Sequence, residues 1–67
     1  MDIYINSTLQ QLERDASIAD ALTQLNITSQ KGIAIAINNN VVPRHEWDTY
    51  ILQPQDKMML IKATQGG

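Results

Sequence analysis

The chain has 67 residues and not one cysteine, and that pairing limits its fold more than any other feature of the sequence. A domain of this size buries only about 60% of the surface it exposes when unfolded. Domains below about 70–80 residues commonly add disulfides or a structural metal for that reason. Without cysteine, disulfides and thiolate zinc sites are excluded, as are a catalytic thiol and a persulfide carried on a side chain. Stability has to come from one economical core drawn from the 43% of residues that are hydrophobic. Seven acidic and five basic side chains leave a net charge of −2. Arg14, Lys31, Arg44, Lys57 and Lys62 are scattered, whereas a nucleic-acid footprint needs clustered Lys and Arg. No run approaches the roughly 18 apolar residues of a membrane span. The opening Met1-Asp2-Ile3-Tyr4-Ile5 lacks the basic start and long apolar stretch of a signal peptide. The expectation is a single cytoplasmic domain with no nucleic-acid or membrane partner.

The first residues alternate: Met1, Ile3 and Ile5 share one face, and Asp2, Tyr4 and Asn6 the other, which is the period of a strand. Asn6-Ser7-Thr8 supplies turn residues, and Leu9 and Leu12 mark a weaker second strand, so residues 1–15 read as a hairpin. A helix follows. Ser17 is a good N-cap, and Asp20 three residues later sets up a capping box. Ile18, Ala21, Leu22 and Leu25 form one apolar stripe, and Asn26 can close the helix in a left-handed conformation. A helix of about nine residues is marginal alone and depends on docking against a sheet.

Gly32 opens a strand, Ile33-Ala34-Ile35-Ala36-Ile37, with isoleucine on one face and alanine on the other. Asn38-Asn39-Asn40 is a hairpin turn, because Asn accepts positive φ, and a short strand at Val41-Val42 ends at Pro43. Arg44-His45-Glu46-Trp47 reads as a turn or a single helical turn, and Tyr50-Ile51-Leu52 as a further brief strand. Pro54-Gln55-Asp56 leads into a last apolar strand, Met58 to Ala63. On that strand Met59, Ile61 and Ala63 share one face, and Met58, Leu60 and Lys62 the other. One set is expected under the helix. The other, led by Leu60 and Met58, is expected to form an apolar docking surface for partners, unless the protein's own loops cover it. The expected core is Ile3, Ile5, Leu22, Leu25, Ile35 and Ile61. A hairpin, one helix and further short strands make a small α+β sheet with the helix across one face.

Little in this chain can perform catalysis alone. His45 is the sole histidine, and Glu46 and Asp48 point away from it on any regular element. Ser7, Ser17 and Ser29 have no histidine close in sequence, and Gly32, Gly66 and Gly67 make no phosphate loop. No catalytic residue, metal site or bound cofactor is expected. The informative feature is the Gly66-Gly67 end, a pair that average glycine usage puts at the last two positions about 0.5% of the time. A frayed terminus is one explanation. The other is access: a tail without side chains carries its carboxylate down a narrow channel to a reactive centre, although glycine costs the most entropy to order.

These residues together resemble the small β-grasp (ubiquitin-like) proteins that end in Gly-Gly, and most of all the ThiS family of sulfur carriers in thiazole and thiamine biosynthesis. The resemblance runs from the Met1–Asn6 strand to Gly67. It rests on Ala36-Ile37-Asn38, Val42-Pro43-Arg44, Trp47, Asp56 and Gly66-Gly67. One departure is Gln55, where the family usually has glycine before the aspartate; Pro54 offers another way to form that turn. Within the middle motif, Val42 and Trp47 are readable as core, with Pro43 shaping the turn and Arg44 solvated. The alternative gives Arg44 a partner contact.

The resemblance implies a β-grasp domain over residues 1–64 with a flexible tail at 65–67, and first and last strands parallel at the sheet centre. It implies a protein that is not itself an enzyme. On this resemblance the Gly67 carboxylate would be adenylated by an ATP-using enzyme of the ThiF type, and a persulfide sulfur, ultimately from a cysteine desulfurase, would displace AMP. The thiocarboxylate would then give its sulfur to thiazole synthase (ThiG), with Gly66 letting the tail thread. Two other Gly-Gly readings stand beside this one: the small subunit of molybdopterin synthase, and a ubiquitin-like protein modifier.

Overall fold

Two short hairpins and a central strand organise the chain. The structure, a computed structural model, describes residues 1–27 and 32–62. The elements in chain order are β1 (Asp2–Ile5), β2 (Thr8–Gln11), α1 (Ile18–Gln24), β3 (Ile33–Ile37), β4 (Asn40–Val42) and β5 (Lys57–Lys62), with a single 3₁₀ turn at Arg44–Glu46. The Thr28–Lys31 stretch lies outside the described residues. So do Ala63, the expected domain boundary after residue 64, and the Gly66-Gly67 tail.

Both hairpins turn through two residues of positive φ, as two-residue loops that follow the strand twist require. Asn6 and Ser7 have φ of 51° and 69°, and Asn38 and Asn39 have 50° and 70°. Asn6, Asn38 and Asn39 tolerate that region because a short amide side chain can bond locally. The turns fix the pairing, Ile5 opposite Thr8 and Ile37 opposite Asn40.

The helix begins as its sequence demands. The Ser17 hydroxyl accepts from the Asp20 amide at 3.1 Å, and the Ser17 amide donates to the Asp20 carboxylate at 3.0 Å, which completes a capping box. Asn26 lies just past the helix end with φ of 61°. Ile18, Ala21 and Leu22 are buried.

The five strands form one sheet in the order β2-β1-β5-β3-β4. β5 lies at its centre, parallel to β1 and antiparallel to β3, with α1 falling between β1 and β5 in the chain as such a crossover needs. Ile3, Ile5, Ile35, Ile37 and Met58 point inward with Ile18, Ala21 and Leu22, and Leu12, Ala16, Val42, Trp47 and Leu52 complete the core. The alternation of β3 is thereby confirmed, with isoleucine inward and alanine toward the other face.

Three expectations change. On β5 the inward face is that of Met58 and Leu60, not that of Met59 and Ile61. Met58 is 2% exposed and Leu60 packs against the core, while Met59 is 52% and Ile61 48% exposed. The reason is register. Met58 is opposite Ile37 on one side and Ile5 on the other, and Leu60 is opposite Ile35; cross-strand partners share a face. Ile61, expected in the core, faces outward, and Leu25 is only partly buried at its margin. Tyr50-Ile51-Leu52 forms no strand but a single bridge from Ile51 to Ser17. The Ile18 and Leu52 amides donate to the Tyr50 and Ala16 carbonyls, at 3.1 and 2.8 Å, so this segment closes the core beside the helix start.

Candidate functional site

The site is built on β5, because that strand is held on both sides and runs toward Gly66-Gly67. Its start is pinned by a turn. Gln53-Pro54-Gln55-Asp56 closes with the Asp56 amide donating to the Gln53 carbonyl at 3.1 Å, and Gln55 has φ of 68°. Proline second and positive φ third make this a type II turn, in which the third position favours glycine. The departure at Gln55 therefore leaves the turn intact but puts a side chain where glycine fits better. The buried Asp56 carboxylate accepts from the Gln53 amide at 2.8 Å and from the Asn38 side-chain amide at 3.0 Å. Asn38 Oδ1 in turn accepts from the Lys57 amide at 3.0 Å. Asn38 and Asp56, two of the residues that carry the family resemblance, thus join the β3–β4 turn to the start of β5.

The middle motif is also structural in part. Trp47 is buried and its indole Nε1 donates to the Val42 carbonyl at 2.9 Å, the partner a buried indole needs. Pro43 precedes the 3₁₀ turn, and Arg44 at its first position is exposed. His45 lies 3.6 Å from Glu46, both side chains exposed. No group of three His, Cys, Asp or Glu among the described residues is placed to hold a metal.

The sheet face opposite the helix is the chemically distinctive surface. Tyr4, Leu9, Val41, Met59 and Ile61 are its exposed large apolar residues, and Ala36 lies between Met59 and Val41 in the cross-strand register. A shallow groove of about 510 Å³ crosses this face, lined by Tyr4, Asn6, Ala36, Asn39, Lys57 and Met59 among others. A second, of about 420 Å³, follows β5 past Met59 and Ile61 to Lys62. The sequence expectation put an apolar face for partners on Met58 and Leu60; the fold turns these two inward, and the apolar side chains that β1 and β5 expose are Tyr4, Met59 and Ile61. Arg44 is exposed, as both the solvated and the partner-contact readings require. Gly66 and Gly67 lie outside the described residues.

A mixed five-stranded sheet with first and last strands parallel at its centre, and one helix across a single face, is the β-grasp of ubiquitin-like proteins. The sequence matches the model of the ThiS family over residues 3–67, so the chain belongs to the ThiS family. It is 34% identical over 67 residues to the protein named sulfur carrier protein ThiS of Escherichia coli (strain K12), and 100% of each chain is covered. Two solved structures of a thiamine biosynthesis protein from Geobacter metallireducens share the fold at 16% sequence identity. The crystal structure, of ThiS, has a TM-score of 0.85, with 100% of both chains covered. The solution structure has a TM-score of 0.76 and is covered over 88% of its length.

Proposed function

We infer that this chain is a sulfur carrier of thiamine biosynthesis that holds sulfur as a thiocarboxylate on Gly67. The observation that carries this is the end-to-end match to a sulfur carrier on a β-grasp whose central strand leads into Gly66-Gly67. A carboxylate is a poor electrophile, so the chemistry is divided between activation and displacement. A Gly67 carboxylate oxygen attacks the α-phosphorus of ATP on an adenylating enzyme of the ThiF type, and pyrophosphate leaves. The terminal sulfur of a persulfide, filled by a cysteine desulfurase, attacks the acyl carbon and AMP leaves. A thiol then cleaves the S–S bond of that acyl disulfide, which frees the thiocarboxylate for thiazole synthase. The chain brings no catalytic side chain to these steps and contributes a slim tail, a rigid base and a docking face. ATP belongs to the activating enzyme.

The exposed Tyr4, Met59 and Ile61 are the contact surface for that enzyme in this reading. Contiguous exposed apolar side chains mark interaction sites, and methionine adapts to more than one partner surface. Measuring intact mass after incubation with ATP, the adenylating enzyme and a persulfide donor tests the function. The mass should rise by the difference between sulfur and oxygen. ATP-dependent conjugates to other proteins, with no thiocarboxylate, would establish the modifier reading instead.

A further inference from the structure

We propose that Asn6 is a positioning residue for sulfur loading: its side chain grips the outgoing half of β5 and sets the line along which the terminal glycine is delivered. This rests on the sulfur-carrier reading above. The backbone of β1 abandons the ladder early. The Asn6 amide donates to the Met58 carbonyl at 2.9 Å, and the chain then turns away at Asn6 and Ser7 with positive φ. The side chain supplies the next rung. Asn6 Oδ1 accepts from the Leu60 amide at 2.8 Å, and Asn6 Nδ2 donates to the Leu60 carbonyl at 3.3 Å. A carboxamide carries the same donor and acceptor as a peptide group, so it substitutes for the strand residue that the turn removes.

The placement gives this clamp a consequence beyond stability. On β5 the backbone groups of Met58 and Leu60 face the β1 side, where Asn6 takes them, so those of Lys62, two residues on, face that side too. No β1 residue is paired that far along; the last pair is Ile5 with Met58. On the opposite side β3 continues to Ile33 opposite Lys62. Among the described residues, Asn6 is thus the final hold on one flank of β5. Gly67 is seven residues beyond Leu60, at most about 23 Å of chain when extended, so the point at which Leu60 is held limits where the carboxylate can be brought. Asn6 also lines both grooves of the outward face, which puts the clamp next to the proposed docking surface.

The test compares Asn6→Gly, which keeps the positive φ but removes both bonds, with Asn6→Asp, which keeps the acceptor for the Leu60 amide and loses the donor. Steady-state ATP–pyrophosphate exchange on the adenylating enzyme gives kcat and KM, and NMR amide exchange reads Leu60 and Lys62. Freeing one backbone residue corresponds to about a five- to thirtyfold factor. Asn6→Gly should therefore lower kcat by that factor with KM within about twofold, because the apolar contacts Tyr4, Met59 and Ile61 are all kept, and Leu60 amide exchange should accelerate. Asn6→Asp should fall between it and the wild type on both readouts. Faster Leu60 exchange with unchanged kcat would overturn the proposal, as would a loss in KM alone or one that only follows the unfolded fraction. Failure of the wild-type chain to support any exchange would instead overturn the carrier reading and this inference with it.

Discussion

The side-chain amide of Asn38 donates to Oδ1 of Asp56 at 3.0 Å across 18 residues of sequence, and that bond ties the β3–β4 turn to the turn that starts β5. Neither residue belongs to a strand, yet between them they hold the Gln53 and Lys57 amides as well. Their place in the family's pattern follows from architecture: they fix where the central strand begins.

Removing the amide should therefore loosen the base of β5. Asn38→Gly keeps the positive φ but leaves one Asp56 oxygen and the Lys57 amide without this partner. An unmet polar group of this kind costs about 1–3 kcal/mol, a large share of the ~3–10 kcal/mol expected for a domain this size. Urea unfolding should show the midpoint falling with the slope unchanged; a loss below about 0.5 kcal/mol would mean the network is dispensable.

The two faces of β5 should respond oppositely to charge. Leu60→Asp puts a carboxylate against the core margin and is expected to lower stability by about 1–3 kcal/mol. Ile61→Asp and Met59→Asp lie on the open face and should leave Tm within a few degrees while weakening binding to the adenylating enzyme. Thermal melts and titration calorimetry on the three variants measure both effects. Equal destabilisation by all three would contradict the assignment of faces.

Gln55→Gly should stabilise the protein. A side chain at φ of 68° is disfavoured by about 1–2 kcal/mol, partly offset by glycine's greater freedom in the unfolded chain. The expected net gain is about 0.5–1 kcal/mol, or roughly 2–8 °C in Tm. A lower Tm would show that the Gln55 side chain contributes contacts worth more than the turn geometry.

The tail should matter to chemistry and not to folding. Gly66→Val adds a branched side chain that widens the tail and narrows its dihedral range, and deletion of Gly67 shortens its reach. Both variants should keep the wild-type circular dichroism spectrum and lose most of their ATP–pyrophosphate exchange. Normal exchange by both would remove the threading argument, and a changed spectrum would make the tail structural.

Local chemistry was enough for much of this fold. The Ser17–Asp20 capping box, the asparagine-bearing two-residue turns and the isoleucine–alanine alternation of β3 each depend on residues close in sequence, whose preferences nothing distant opposes. Parallel pairing of the first and last strands came from the family resemblance, and the structure shows it directly in the Tyr4–Lys57 and Ile5–Met58 pairs. The candidate site was legible only in outline. Tyr50-Ile51-Leu52 has strand-forming side chains but finds a single bridging partner at Ser17, and pairing partners are a property of the assembled chain.

What the sequence determined by itself is the helix, the two hairpins and the last strand, together with the Gly-Gly end on which the sulfur-carrier reading depends. What only the tertiary structure decided is which side of β5 is the inside. Met58 and Leu60 are as apolar as Met59 and Ile61, so a period of two carries no sign there. The choice falls to the inward isoleucines of β1 and β3, opposite which Met58 and Leu60 come to lie. The same holds for Asn6, which in sequence is a turn residue and in the folded chain completes the ladder at Leu60. A carboxamide can serve either purpose, and only a strand 54 residues away turns one into both.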